Sequence, residues 1–488
     1  MQGFLSAVWA WLVRLRNWAQ QNPALAAPLL LLVVFGLYLP TSDHYRLYYD
    51  ANNYWVFGQQ YFKTGSFSWL SYTSSMRGYL FSLLLAPFSV AGPHLGLEPI
   101  QLSRPLGALL AAFMFGMLGP ALWRAASGLA VSLGRRLAFG LLGFVLWRDY
   151  FNFPLTDFPA LAALAIALWA LLSGGGMLRA VLAGLALGAA ANMRPVFQAA
   201  LPFVCLLSLL PPAAASSVVP GRRYWGRLVG VATGLALVLA PQFYINLNNF
   251  GERTPWVLAY KVGDPTNLFL QQLQWGLQYQ KYETNVGYDY PRPQMFFLDA
   301  AGQQLFDATK LPLFTTQAQY LEIVAHHPVG VGMVWLRHLF NGLDLQYPTP
   351  YITRVFVATW PLAWLNYTVL LGGCAVLLGA LRRRPRNWRV LLALAALLTP
   401  CLGALPVAME CRFLLPLHLV LSGALVFGCH PRRAWQAASG LRRMAWAAGY
   451  VLLVGGAFAV SADAQRSLEK EPRPLLGLPW QRPEPEPW

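Results

Sequence analysis

A chain of 488 residues that is 57% hydrophobic and only 11% charged, with apolar runs recurring along nearly its whole length, reads as a multi-span membrane protein rather than a soluble domain. Its net charge of +17, from 36 Lys and Arg against 19 Asp and Glu, would suggest a nucleic-acid partner in a soluble protein, but the distribution of those charges along the chain excludes one. The five cysteines (Cys205, Cys374, Cys401, Cys411 and Cys429) have no CxxC spacing and supply neither a metal signature nor a disulfide framework.

Residues 1–23, "MQGFLSAVWAWLVRLRNWAQQNP", predict an interfacial amphipathic helix. Trp9, Trp11 and Trp18 would sit near the headgroups, with Arg14 and Arg16 outward, and no small-residue pattern closes a cleavable signal. Apolar runs between polar breaks then predict spans near 24–40, 102–122, 137–147, 158–172, 180–192, 196–210, 228–243, 355–381, 390–405, 413–429 and 444–461. The expected fold is all-α with about eleven transmembrane helices, within ten to thirteen because 137–147 and 180–192 are short. Two connecting stretches, 41–101 and 244–354, are long enough to be functional rather than connective. The expected organisation is a membrane module over 24–243 that includes the first loop, the large loop 244–354, further membrane helices over 355–461, and a Pro-rich extended tail over 462–488.

Charge tests this alternation. With the N-terminus in the cytoplasm, the inner segments are 1–23, 123–136, 173–179, 211–227, 382–389 and 430–443. They hold half of the basic residues and not one carboxylate. Every acid then falls on the other side, the periplasm in a bacterium, together with the C-terminus. Topology accounts for the basic excess, so nucleic-acid binding drops out.

Isolated charges at the ends of apolar runs are the candidate functional groups, because an ionised side chain at the bilayer edge is costly unless paired or used. In "YYDANNYWVFGQQYFKTGSFSW", the stretch from Asp50 to Tyr61 predicts a helix with Tyr54, Phe57 and Tyr61 on one face, and Gly65 suits its end. "RGYLFSLLLAPF" then returns as an apolar helix near the membrane. The aromatics fit an interfacial belt; Asp50 does not share that explanation, and Asp43 in "TSDHYRLYYD" competes with it. In "RDYFNFPLTDFPALAALAIAL", Asp149 and Asp157 flank a short turn, and Thr156-Asp157 is good N-capping chemistry. Arg194 in "ANMRPVF" and Arg412, two residues after Glu410 in "AMECRFLLPLHLV", sit at helix ends. There a guanidinium either snorkels or recognises a lipid phosphate. Arg77, Arg337, His338 and Arg354 are weaker candidates on the same side, and the adjacent pair His326-His327 is a poor metal site.

The order of these pieces resembles the GT-C superfamily of integral-membrane glycosyltransferases, which use polyprenyl-phosphate sugars. It is an acid after the first span, a "D-x3-Y" loop, a returning "R-G-Y" segment, an acid opening the fourth span, an "R-P" turn and a late "E-x-R-F-x2-P". The protein-mannosyltransferase-like and aminoarabinose-transferase-like members are the most similar. The resemblance implies that Asp50 is the general base and that Asp157 positions the acceptor or a metal. Arg194 and Arg412, with Arg77 and Arg337, would lie near the donor phosphate, and Glu410, Tyr49 and Tyr54 would take part in acceptor positioning. A divalent metal is implied by relatives with adjacent first-loop acids; this first loop has no such pair, so no metal ligand is assigned. "MRGYLF" also lacks the proline pair of many relatives.

The chemistry is self-consistent. A polyprenyl phosphate is a good leaving group, so one carboxylate must accept the acceptor proton and cations must stabilise the departing phosphate. The expected function is an inverting transfer on the outer face of a bacterial inner membrane to a lipid, glycan or secreted protein such as a pilin or lipid A. An O-antigen ligase or polymerase would explain the 244–354 loop but not Asp50. A lipid or polysaccharide transporter would place charges near mid-membrane and show repeated halves, neither of which the sequence shows.

Overall fold

The computed structural model describes residues 2–211, 222–262, 267–383, 387–430, 435–436, 438–471 and 473. The chain opens with α1 (Gln2–Gln21) and α2 (Pro23–Tyr38). They separate at Asn22, whose backbone (φ −119°, ψ 56°) leaves the helical region that a following proline disfavours. After α3 (Tyr49–Gln60) and α4 (Tyr79–His94), α5 (Pro99–Ala111) passes through a π-helical stretch, Ala112–Leu118, into α6 (Gly119–Ser127). A π turn frees carbonyls from the i→i−4 ladder, and the Arg136 guanidinium donates to one of them, Gly116 O, at 2.8 Å. Arg136 lies in α7 (Leu133–Trp147), which leads to α8 (Asp157–Ser173), α9 (Met177–Met193), α10 (Leu201–Leu209) and α11 (Arg222–Phe250).

The protein is mostly helical, and among the described residues six helices are long and apolar enough to cross a membrane: Pro23–Thr41, Pro99–Ser127, Tyr224–Phe250, Trp360–Arg382, Cys411–Gly428 and Gly440–Arg466. This corrects the expected eleven. Each predicted run does fall on a helix, but Asp157–Ser173, Met177–Met193, Pro195–Leu209 and Trp388–Gly403 are shorter. Seventeen residues rise only about 26 Å, less than a hydrocarbon core of about 30 Å. α8 is buried over most of its length, and α9 meets α11 so closely that a Cβ on Gly184 would lie 2.0 Å from Val231 O.

The predicted loop 244–354 is largely a folded module. α11 runs on to Phe250, and the module contains α12 (Leu268–Gln278), β1 (Tyr279–Asn285), β2 (Gln294–Leu298), α13 (Ala300–Asp307), α14 (Gln317–His326), α15 (Pro328–Leu343) and β3 (Tyr351–Ile352). β1 is the middle strand, antiparallel to β2 with Lys281 opposite Phe297 and Tyr282 opposite Phe296, and parallel to β3. Leu270, Leu277, Phe306 and Ile323 form one core of this module; Met295, Phe297, Tyr347 and Ile352 form another.

The chain closes with α16 (Trp360–Arg383), α17 (Trp388–Gly403), α18 (Leu415–Gly423), a second π stretch over Ala424–Gly428, and α19 (Gly440–Arg466). The predicted extended tail begins differently from the expectation. α19 continues to Arg466, and Leu468 bridges to Phe297 beside β2. Residues 474–488 of that tail lie outside the described residues.

Candidate active site

The first-loop acid is held by an unusual helix start. Tyr49 has φ 39°, the left-handed region that a bulky residue seldom occupies. Its surroundings fix it there: Tyr351 donates its hydroxyl to Tyr48 O at 3.0 Å, and the Tyr351 ring lies 5.6 and 6.0 Å from those of Tyr48 and Tyr49. Asp50 follows in the first turn of α3, where the helix N-terminus favours a carboxylate. Arg77 Nη2 donates to Asp50 Oδ1 at 2.8 Å, and both side chains remain about 30% exposed. Asp50 Oδ2 receives no hydrogen bond among the described residues.

Arg77 is set by its neighbours on the chain. The Tyr72 hydroxyl lies 3.0 Å from the Arg77 and Gly78 carbonyls. Gly78 itself is pressed against the end of α9, where Asn192 Oδ1 accepts from Leu80 N at 3.0 Å. Asn192 donates to Gln242 Oε1, and Gln242 to Asn246 Oδ1, each at 2.9 Å. All three amides are buried. One residue beyond α9, Arg194 turns extended (φ −144°) ahead of Pro195. A single buried amide chain therefore ties the starts of α4 and of the Arg194 turn to α11.

Arg194 Nη1 pairs with Asp157 Oδ1, and Arg412 Nη1 lies 3.7 Å from Asp157 Oδ2. Glu410 takes the other side of Arg412, with Nε at 2.5 Å from Oε2 and Nη2 at 2.9 Å from Oε1. The Asp157 side chain is 2% exposed, those of Arg194 and Arg412 18% and 15%. The ring of Phe413 lies under both guanidinium groups, at 5.0 and 5.8 Å. Asp50, Arg412 and Tyr282 are within electrostatic reach of one another, which joins the Asp50–Arg77 pair to the deeper cluster.

Asp50, Arg77, Asp157, Arg194, Glu410 and Arg412 thus converge from five separate stretches of chain. Three guanidinium groups face three carboxylates, in a gradient from partly exposed to buried. The predicted capping at Thr156-Asp157 is not made by Thr156, whose side chain caps nothing; Asp157 lies inside the helix and spends its oxygens on arginines. Tyr54 is buried against Phe81 with Arg77 over its ring, and Tyr49 is half-exposed. The aromatics of α3 and the following loop are therefore not a belt. Tyr54, Trp55, Tyr61 and Tyr72 are buried, with Tyr61 donating to Tyr79 O at 2.8 Å.

Other candidates stand apart. Asp43 is exposed beside His44 and makes no bond to the cluster. Arg337 is bound at both ends of its fork to Asp299, at 2.6 and 2.8 Å, so it serves the module and not the site. His338 is buried between the carbonyls of Leu405 and Tyr279, Arg354 is exposed, and Asp149 is held by Tyr38 and Asn152. His326 contacts the Glu322 carbonyl of its own helix.

Tyr282 is the residue that the sequence did not single out. It comes from β1, its backbone N–H bonds Met409 O at 2.9 Å, and its hydroxyl faces Glu410. Burial, and then the Glu410 charge, push that hydroxyl well above the usual tyrosine range, so it stays a neutral donor.

Arg412 is enclosed by two carboxylates, hydrogen-bonded to Glu410 through Nη2 and in ion-pair range of Glu410 through Nε and of Asp157 through Nη1, whereas Arg77 and Arg194 each face one. Arg77 and Arg194 therefore keep donors for an anion, and Arg412 acts as a strut. No group of three His, Cys, Asp or Glu side chains forms a metal-ligand set among the described residues. The acids that do converge each stand against a guanidinium group. A scan against family models, and searches of curated proteins and of solved structures, match nothing to this chain.

Proposed function

We propose that this protein is an inverting glycosyltransferase that moves a sugar from a polyprenyl-phosphate donor to an acceptor hydroxyl at a membrane surface. The observation that carries the reading is the division of labour between its two acids. Asp50 keeps a free oxygen at the exposed mouth of the cluster, and Asp157 holds two arginines in its buried base.

In this reading the acceptor hydroxyl attacks the anomeric carbon while Asp50 Oδ2 takes its proton. The bond from the anomeric carbon to the phosphate oxygen breaks, and the pair of electrons leaves with the polyprenyl phosphate. The free N–H groups of Arg77 and Arg194 face that growing negative charge. No covalent enzyme intermediate is needed, so the anomeric centre inverts. An N-terminus in the cytoplasm and a site facing the bacterial periplasm belong to the same proposal. The sorting of acids away from the Arg-rich connectors supports that orientation.

The test is transfer in detergent from a set of synthetic polyprenyl-phosphate sugars, with Asp50→Asn alongside. The variant should fold normally and lose roughly 10²- to 10⁴-fold in transfer rate. Transfer at the parent rate by a folded Asp50→Asn would remove Asp50 as the base. Failure of every donor, with lipid movement between leaflets, would favour a transporter.

A further inference from the structure

At the end of the bundle opposite Asp157 lies an apolar cavity of about 1660 Å³, bounded by α6, α8, α16, α17, α18 and α19. Its wall on α8 runs from Leu161, one turn beneath Asp157, to Leu172 at the helix end. Those eleven steps rise about 16 Å, close to the roughly 15 Å of hydrocarbon in one leaflet. The cavity is partly open to its surroundings, so it is a groove that a lipid chain can enter rather than a closed void in a packed interior. The lining is aliphatic and aromatic along its length. Among the described residues its only formal charges, Arg382 and Arg442, both stand at the end where α16 finishes and α19 begins, and no carboxylate among them lines it. Both arginines are exposed, and neither side chain is paired among the described residues.

We propose that this cavity is a binding site for one anionic phospholipid of the leaflet at the Arg-rich end. Its acyl chains fill the cavity and its phosphate meets Arg382 and Arg442. Length and charge select this occupant together. The cavity is one leaflet deep, which suits chains entering from that surface, and its basic rim matches an anionic headgroup rather than a zwitterionic one. A polyprenyl chain anchored at Arg77 and Arg194 would have its phosphate at the other end and no use for this rim. The site is independent of the transfer chemistry proposed above.

The experiment is native mass spectrometry of the full chain, purified in mild detergent and then exchanged into bilayer discs of phosphatidylcholine with phosphatidylglycerol. The parent protein should retain phosphatidylglycerol in preference to phosphatidylcholine. Arg382→Gln with Arg442→Gln, two exposed changes, should lose that preference by roughly thirtyfold, from about one basic contact's worth of attraction at each residue. Ala165→Phe, which projects a ring into the cavity from α8, should lose retained lipid of either kind while still eluting as a folded monodisperse species. An unchanged headgroup preference in the double variant overturns the proposal. So does retention by Ala165→Phe at the parent level, or a retained polyprenyl phosphate, which would make the cavity part of the transfer site.

Discussion

A carboxylate that takes a proton needs an oxygen free to receive it. Asp50 Oδ2 is such an oxygen, while both oxygens of Asp157 face guanidinium groups in a site almost closed to solvent. Removing one partner from a buried ion pair strands the other charges, at a cost of about 3–5 kcal/mol. Asp157→Asn should therefore lower the thermal midpoint in detergent by many degrees, whereas Asp50→Asn and Asp43→Asn should leave it near that of the parent. In transfer assays only Asp50→Asn among the two stable variants should be inactive. A stable Asp157→Asn would show that Asp157 does not hold Arg194 and Arg412 together, and an inactive Asp43→Asn would move the base. All six of the cluster's charged residues were named from the sequence: Asp50, Asp157, Arg194 and Arg412 because a lone charge at the end of an apolar run is expensive, Arg77 as a weaker candidate, and Glu410 through the family resemblance. Arg337 looked equivalent by the same rule, but its partner Asp299 is 38 residues away and no local pattern announces it. Tyr282 was invisible for a related reason: only the pairing of β1 and the fold of the module bring it to Glu410.

Elements meet at this site through backbone contact as much as through charge. The start of α4 rests on the end of α9, and a Cβ on Gly78 would come within 1.9 Å of Asn192 O and 2.6 Å of Asn192 Oδ1. Backbone on one side and a buried amide chain on the other leave little room for either to give. Gly78→Ala should thus displace Arg77 and break the Leu80–Asn192 bond, destabilising by about 1–3 kcal/mol as other overpacking changes do. Arg77→Gln, which is partly exposed, should keep the parent's thermal midpoint and lose donor binding only. Finding Gly78→Ala as stable as the parent by thermal melting would show that this contact relaxes. The helices of the first loop were readable from spacing, and the structure places α3 and α4 where the pattern put them. The fate of their aromatics was not readable. Tyr and Trp suit an interface or a packed junction equally well, and the choice depends on α4 lying across α3, which the local sequence does not encode. The Arg-rich connectors carry more than topology. Arg179, Arg227 and Arg389 donate to the last carbonyls of α8, where a helix C-terminus favours positive charge.

At the scale of the whole molecule, the last described residue closes a circuit. Arg473 is buried between Phe297 and Tyr347, and its guanidinium meets Gln465 at 2.8 Å, the Tyr347 hydroxyl at 3.0 Å and Glu283 Oε2 at 3.0 Å. Lys281 takes the other oxygen of Glu283, also at 3.0 Å. Glu283 and Lys281 flank Tyr282 on β1, so the docked tail stabilises the strand that reaches the candidate site. Burial pushes the Glu283 carboxyl up, but the Arg473 and Lys281 charges outweigh it and hold the group below the usual carboxylate range. A group depressed on folding contributes stability that is fully present above its unfolded value, about 4.3 for glutamate, and is lost as pH falls beneath it. Thermal melts of the parent should therefore fall steeply below about pH 4. Arg473→Met removes the larger of the two charges that depress Glu283, and it leaves the carboxylate short of a partner. That variant should melt lower at neutral pH and lose less on acidification, because part of the pH-linked term is already gone. If the two melting curves run parallel across the acid range, Glu283 is not linked to the tail. If Arg473→Met melts with the parent at neutral pH, the buried circuit does not hold the tail to β1.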